Sequence, residues 1–158
     1  MIKVDDFVRE LGLIEISPST RTEFDIQSAD LNRPGMQFCD FYEFFAYERP
    51  QVIGKVEMTY LEELDPVERS RRLQRFFSYA VPCVICARGM KPPQELLDIA
   101  KEHDVPVYVS QLLTTRLTFL AINYLNRVLA PRVTRHGVLV DVYGMGVLIT
   151  GESGVGKS

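Results

Sequence analysis

The segment GESGVGKS, Gly151 to Ser158, has the spacing G-x-x-x-x-G-K-S. That pattern marks a phosphate-binding loop. Glycines at 151, 154 and 156 let the backbone wrap tightly and aim successive N–H groups at phosphate oxygens, with Glu152, Ser153 and Val155 completing the cradle. The pattern predicts that Lys157 reaches the outer phosphates and that the Ser158 hydroxyl ligates Mg²⁺. Such a loop joins a strand to a helix. The apolar Val147–Thr150 run is the expected strand, and no helix follows Ser158, so the chain is expected to be a fragment of a longer protein.

Four other positions carry reactive side chains. His136 precedes the apolar segment that leads to the loop. A histidine near a triphosphate can donate a hydrogen bond or charge to developing phosphoryl oxygens; position alone leaves that reading and a plain surface role both open. His103 ends a predicted helix, where a cation suits the dipole, and reads as a surface residue. Cys83 and Cys86 have the C-x-x-C spacing of a metal or redox site, but Val84 and Ile85 between them place the pair in an apolar strand. Residues three apart on a strand point to opposite faces, so these two cannot share a metal or close a disulfide. Three cysteines, an odd number, argue against a disulfide framework and for a reducing cytoplasm.

The scaffold that must hold these residues is readable in outline. The chain has 158 residues, 46% hydrophobic and 25% charged, which excludes wholesale disorder. Eighteen Lys plus Arg against 21 Asp plus Glu leave a net charge of −3, which gives no support to a nucleic-acid binder. No apolar run approaches the roughly 18 residues of a membrane span, and MIKVDDFVRELG has no apolar core of a signal peptide. Periodicity predicts a helix over Val4–Leu11 and a strand over Leu13–Ile16. Thr20–Pro34 is polar and ambiguous. Phe38–Phe45 carries five aromatic residues at helical spacing and reads as core. Gln51–Val56 reads as a strand. Asp65-Pro66 opens a helix with Leu73, Phe76, Phe77 and Ala80 on its apolar face. Its opposite face, Arg69, Arg71, Arg72 and Arg75, reads as solvated, with an anion or partner surface left open. Pro82–Ala87 and Val105–Val109 read as strands buried on both faces, Pro92 to His103 and Thr115–Leu129 as helices.

Strand, helix, strand, helix predicts βαβ units and a parallel sheet over Gln51–Leu129. Ala130-Pro131-Arg132 breaks the pattern, giving domains 1–130 and 131–158. Val138–Val142 and Val147–Thr150, joined by a turn at Tyr143–Gly146, predict an antiparallel hairpin. Its apolar strands are expected either to lack order or to pack against their own domain or another chain.

HGVLVDVYGMGVLITGESGVGKS, His136 to Ser158, resembles the start of the catalytic domain of the bacterial HPr kinase/phosphorylase family. Leu31–Leu61, Pro82–Ser110 and Thr114–Arg132 resemble that family's N-terminal domain. The resemblance implies an α/β fold: a three-layer α/β/α domain with a mainly parallel sheet, similar to one in Mur ligases, followed by the hairpin and loop of a P-loop kinase domain. It implies a cytoplasmic homohexamer that uses ATP or pyrophosphate with Mg²⁺ to phosphorylate a regulatory serine of the phosphocarrier HPr in carbon catabolite repression, and that runs the reverse phosphorolysis. No nucleic-acid or membrane partner is implied. His136 and Lys157 would be active-site residues, Gly151 to Ser158 would bind ATP, and Ser158 would meet Mg²⁺. Glu152 stands where the family usually has Asp, and the family's acid/base Asp is expected beyond Ser158. Two alternatives remain at this point: a ligand-sensing or oligomerisation module without chemistry of its own, and an unrelated P-loop NTPase.

Overall fold

A computed structural model describes residues 1–134, 136–151, 154 and 156. In chain order the elements are β1 (Ile2–Lys3), α1 (Val4–Leu11), β2 (Ile14–Ser17), β3 (Glu23–Phe24), α2 (Gly35–Phe38), β4 (Gln51–Ile53), α3 (Lys55–Glu63), α4 (Pro66–Phe77), β5 (Val84–Cys86), α5 (Gln94–Glu102), β6 (Val107–Val109), α6 (Thr114–Leu129), β7 (Gly137–Val142) and β8 (Met145–Thr150).

The runs without alternation became the centre of the sheet. β4, β5 and β6 are buried at every position and pair in parallel, with Ile53 opposite Cys86 and Cys86 opposite Val109. β2 adds an antiparallel edge to β6, giving the order β2-β6-β5-β4. The period-2 alternation of a strand then divides the core. Val84, Cys86, Val107 and Val109 pack with Leu61 of α3, Leu73 and Phe76 of α4, and Leu96 of α5. Val52, Ile85 and Tyr108 pack with Phe7 of α1 and Leu117 and Leu125 of α6. Helices therefore cover both faces of a mainly parallel sheet, as expected.

Local signals set most boundaries. Gly12 ends α1 with φ 59, a left-handed cap that costs glycine least. Asp65 caps α4, its Oδ1 accepting from the N–H groups of Val67 and Glu68 at 3.1 Å, with Pro66 next to it. Two expectations need correction. The strand over Gln51–Val56 stops at Ile53, and the chain turns at Gly54 into α3. Glu57, three residues on, accepts the Gly54 N–H through Oε2 at 2.9 Å, so the carboxylate caps a helix where apolar pattern alone had extended the strand. Phe38–Phe45 is helical only up to Phe38. Asp40 (φ 65) and Phe44 (φ 58) are left-handed, which no helix tolerates. Phe38 and Phe45 are buried as expected, but Phe44 is 95% exposed.

Cys83 and Cys86 lie in opposite core layers, as the odd spacing required, and both thiols are free. Burial pushes both thiols up, Cys86 to about 12. A thiol-reactive dye at pH 8 should therefore label the native protein once, at exposed Cys39, and label all three cysteines only in denaturant. Labelling of Cys83 or Cys86 in the native state at the Cys39 rate would contradict this packing.

Candidate functional site

β7 and β8 pair antiparallel from Gly137 opposite Thr150 to Val142 opposite Met145. Tyr143 (φ 52) and Gly144 (φ 80) make a two-residue turn with both φ positive, whose backbone twist matches that of paired strands. Asp141 Oδ1 accepts the Gly144 N–H at 2.8 Å and holds the corner. The turn is thus two residues shorter than the Tyr143–Gly146 span expected from sequence.

This register positions the chemistry. His136 immediately precedes Gly137, and Gly151 immediately follows Thr150, so both leave the hairpin at its open end. Gly137 is required there, because a Cβ would lie 2.4 Å from the Ile149 carbonyl oxygen. Beyond Gly151, Gly154 (φ 90) and Gly156 (φ 85) are both left-handed, with open space where a Cβ would stand. Alternating with right-handed residues, glycines in this conformation can turn successive N–H groups to one side, as an anion-binding concavity requires. The two described glycines are compatible with a phosphate-bearing group. Glu152, Ser153, Val155, Lys157 and Ser158 lie outside the described residues.

The hairpin's apolar side chains face solvent. Leu139 is 72% and Leu148 57% exposed, and no residue of β7 or β8 belongs to either core cluster. The strands form and, among the described residues, do not pack on their own domain.

The arginine face of α4 is only in part the solvated surface that its pattern suggested: Arg71 and Arg75 are exposed, whereas Arg69 and Arg72 are half-buried. Arg69, 14% exposed, donates to the carbonyl oxygens of Leu61 (2.6 Å), Glu62 (3.0 Å) and Leu64 (2.8 Å) and pairs with Glu95 at 3.0 Å. Arg72 bonds Glu68 (2.8 Å), the Phe38 carbonyl (2.8 Å) and the Tyr60 hydroxyl. Arg71 pairs with Asp40 at 2.6 Å, and Arg75 lies 4.3 Å above the Tyr42 ring. Each arginine is used to fasten α4 to α3 or to the 38–42 segment, so none is spare for an anion. Periodicity shows which face a residue occupies; it does not show which loop will fold over that face.

This network has a pH signature. Hydrogen bonds from Arg71 and then Arg72 hold the Glu68 carboxyl down at about 2, against an ordinary 4.5, and Arg71 lowers Asp40 in the same way. A carboxyl depressed in the folded state stabilises it above the unfolded pKa and loses that effect as pH falls through the folded value. Urea melts should thus show stability declining from about pH 4.5 towards pH 2. Glu68→Gln should flatten this decline, and salt should shrink the difference, because Glu68 is well solvated. An unchanged slope in Glu68→Gln would refute the assignment. His103 caps α5 at the surface, its Nε2 3.3 Å from Gln74 Oε1, as its position predicted.

Among the described residues, no helix is long and apolar enough to cross a membrane. The family model described as "HPr Serine kinase N terminus" matches residues 2–125, and that described as "HPr Serine kinase C-terminal domain" matches residues 127–158. An HPr kinase/phosphorylase of Alkaliphilus metalliredigens is 49% identical over 157 residues, 99% of this chain and 51% of that protein. Those of Thermoanaerobacter sp. and Clostridium acetobutylicum are 46% and 44% identical over the same length. The chain spans about half the length of these relatives. Among solved structures, the CBS and DRTGG domains of the regulatory region of Clostridium perfringens pyrophosphatase, complexed with diadenosine tetraphosphate, match with a TM-score of 0.51 at 14% identity over 76% of this chain and 46% of that one. That likeness concerns the fold alone. With family matches running almost from end to end and a hairpin that opens at His136 and Gly151, the chain belongs to the HPr serine kinase family.

Proposed function

We propose that the whole protein is an ATP-dependent kinase/phosphorylase acting on a serine of HPr, in the cytoplasm and within carbon catabolite repression. In this reading residues 1–130 are an N-terminal domain of the kind found in Mur ligases, and residues 131–158 begin the P-loop kinase domain of a homohexamer. The observation that carries it is the hairpin register, which brings His136 and the start of GESGVGKS to one end of a two-stranded sheet. The antiparallel feed into the loop also favours this family over P-loop proteins fed from a parallel sheet.

ATP or pyrophosphate, with Mg²⁺, would supply the transferable phosphoryl group. The chain's own part is positioning and charge. The N–H groups around Gly151, Gly154 and Gly156 hold phosphate oxygens in place. The Lys157 cation balances negative charge as it develops, and the Ser158 hydroxyl orients the metal. Gly151, Glu152, Ser153, Gly154, Val155, Gly156, Lys157 and Ser158 form the binding loop in this assignment. His136 donates a hydrogen bond to a phosphoryl oxygen. The test is transfer of labelled phosphate from ATP to HPr by the whole protein, with the modified residue located by mass spectrometry. A labelled serine on HPr is the expected result; no transfer, or transfer to histidine only, would overturn the reading.

A further inference from the structure

The four-stranded sheet has a switch point unrelated to the phosphate-binding loop. The helix after β5, α5, packs on one face of the sheet, and the helix after β6, α6, packs on the other. β5 and β6 are neighbours, so their helices leave to opposite faces while the outgoing loops stay joined, Gly89 N–H donating to the Ser110 carbonyl at 2.8 Å. In open α/β sheets ligands bind at the carboxyl edge near such a point.

The floor of this edge is built close and polar. Ala87 N–H bonds the Ile53 carbonyl at 3.0 Å, and Arg88 N–H bonds the Leu112 carbonyl at 2.8 Å, which ties the three outgoing loops into one row. A Cβ on Gly89 would lie 2.5 Å from Gln111 Oε1, so the Gln111 amide sits directly over that glycine. A Cβ on Gly54 would lie 2.6 Å from Arg33 Nη2 and 3.0 Å from Thr114 Oγ1. Two glycines thus make room for an amide, a guanidinium and a hydroxyl.

Charge is concentrated here against the trend of the chain. Residues 31–35, 51–57, 84–91 and 107–117 contain Arg33, Lys55, Arg88, Lys91 and Arg116 and a single carboxylate, Glu57, in a chain whose net charge is −3. Glu57 is buried and held by Arg33 at 2.8 Å and by the Gly54 N–H. Lys55, Arg88, Lys91 and Arg116 are exposed and form no ion pair with any described residue, whereas every arginine of α4 is ion-paired. Cations of one sign gathered along one edge raise the local concentration of anions. At the start of α6, Leu113, Thr115, Arg116 and Phe119 line a mostly apolar, open hollow of about 390 Å³, with the Arg116 guanidinium 5.7 Å from the Phe119 ring centroid and Leu113 and Phe119 more than half exposed. That is the size of a small-ligand site.

We propose that this carboxyl edge binds a small molecule carrying an oxyanion on an apolar ring body, with Arg88 and Arg116 holding the anion and Leu113 and Phe119 the ring. The site is separate from the proposed kinase centre and does not depend on that assignment.

Titration of the ¹⁵N-labelled chain with sodium sulfate and with phenyl phosphate, at constant ionic strength, tests it. Saturable shifts are expected at the amides of Gly54, Arg88, Gly89, Thr114 and Thr115, with phenyl phosphate binding more tightly than sulfate. Arg88→Ala and Arg116→Ala are exposed substitutions and should each weaken both anions about tenfold, the worth of one charge-assisted contact. Phe119→Ala should remove the advantage of phenyl phosphate and leave sulfate binding intact. Shifts confined to Gly151–Gly156, shifts that grow linearly without saturation, or affinities in Arg88→Ala and Arg116→Ala equal to that of the unsubstituted chain would each overturn the proposal.

Discussion

Replacing Lys157 by alanine in the whole protein should lower the rate of phosphate transfer to HPr by about 10²–10³-fold, the loss seen when one preorganised electrostatic donor is removed from a transition state. In this assignment Lys157 supplies a positive charge where charge develops on the phosphoryl group, and the backbone N–H groups of the loop cannot replace a full cation. His136→Ala should also cost activity, by about 10²-fold, since a positioned hydrogen-bond donor contributes at the lower end of acid–base effects. His136 stands at the open end of the hairpin, beside Gly137, whose partner Thr150 directly precedes Gly151. Initial rates with labelled ATP and saturating HPr measure both. A Lys157→Ala protein that keeps more than a tenth of the rate would remove this residue from the phosphate site. A His136→Ala protein with unchanged rate would leave His136 a surface residue, the second of the two readings its position allows.

Arg69→Ala should destabilise the chain by about 2–4 kcal/mol, more than its place in a run of arginines suggests. The last carbonyls of α3 have no partner within their own helix, and Leu64, which follows, is extended. The Arg69 guanidinium takes the oxygens of Leu61, Glu62 and Leu64 and meets Glu95 across the α4–α5 contact. Removing it strands two part-buried acceptors, one exposed acceptor and one carboxylate together. Arg69→Lys should recover only a small part of this, because an ammonium cannot fork to several carbonyls in fixed geometry. Arg71→Ala, two residues along, should cost much less, since its side chain is 53% exposed and its pairs are solvated. Urea midpoints at pH 7 with unchanged slopes give both values. Similar losses for Arg69→Ala and Arg71→Ala would mean that the carbonyl cap adds little.

Part of this protein was legible because its causes are local. The Asp65-Pro66 pair starts α4, since a capping carboxylate and a proline act within one turn. The apolar Val84–Cys86 and Val107–Val109 runs became buried parallel strands, because a strand covered on both faces has no polar side to display. The alternation of strands and helices implied their parallel pairing, and the odd spacing of Cys83 and Cys86 implied their separation into two layers. GESGVGKS was legible for the same reason: a phosphate loop is made by consecutive residues.

Tertiary structure decided what depends on partners distant in the chain. The aromatic run after Phe38 kept helical spacing, yet Asp40 adopts a left-handed backbone beside Arg71 and Arg75, and Phe44 faces solvent. The α4 arginines looked solvated, because nothing in their own helix reveals that Leu61, Phe38 and Glu95 come within reach. The carboxyl edge of the sheet draws Arg33, Gly54, Arg88, Gln111 and Thr114 from four segments with no common motif. Only the register of β4, β5 and β6 brings them to one edge. By itself the sequence determined most of the elements and carried the phosphate-loop motif, because propensity, capping and motif spacing act between near neighbours. The fold decided which charges are spent on the protein and which are left for a ligand, because that depends on contacts across the sheet.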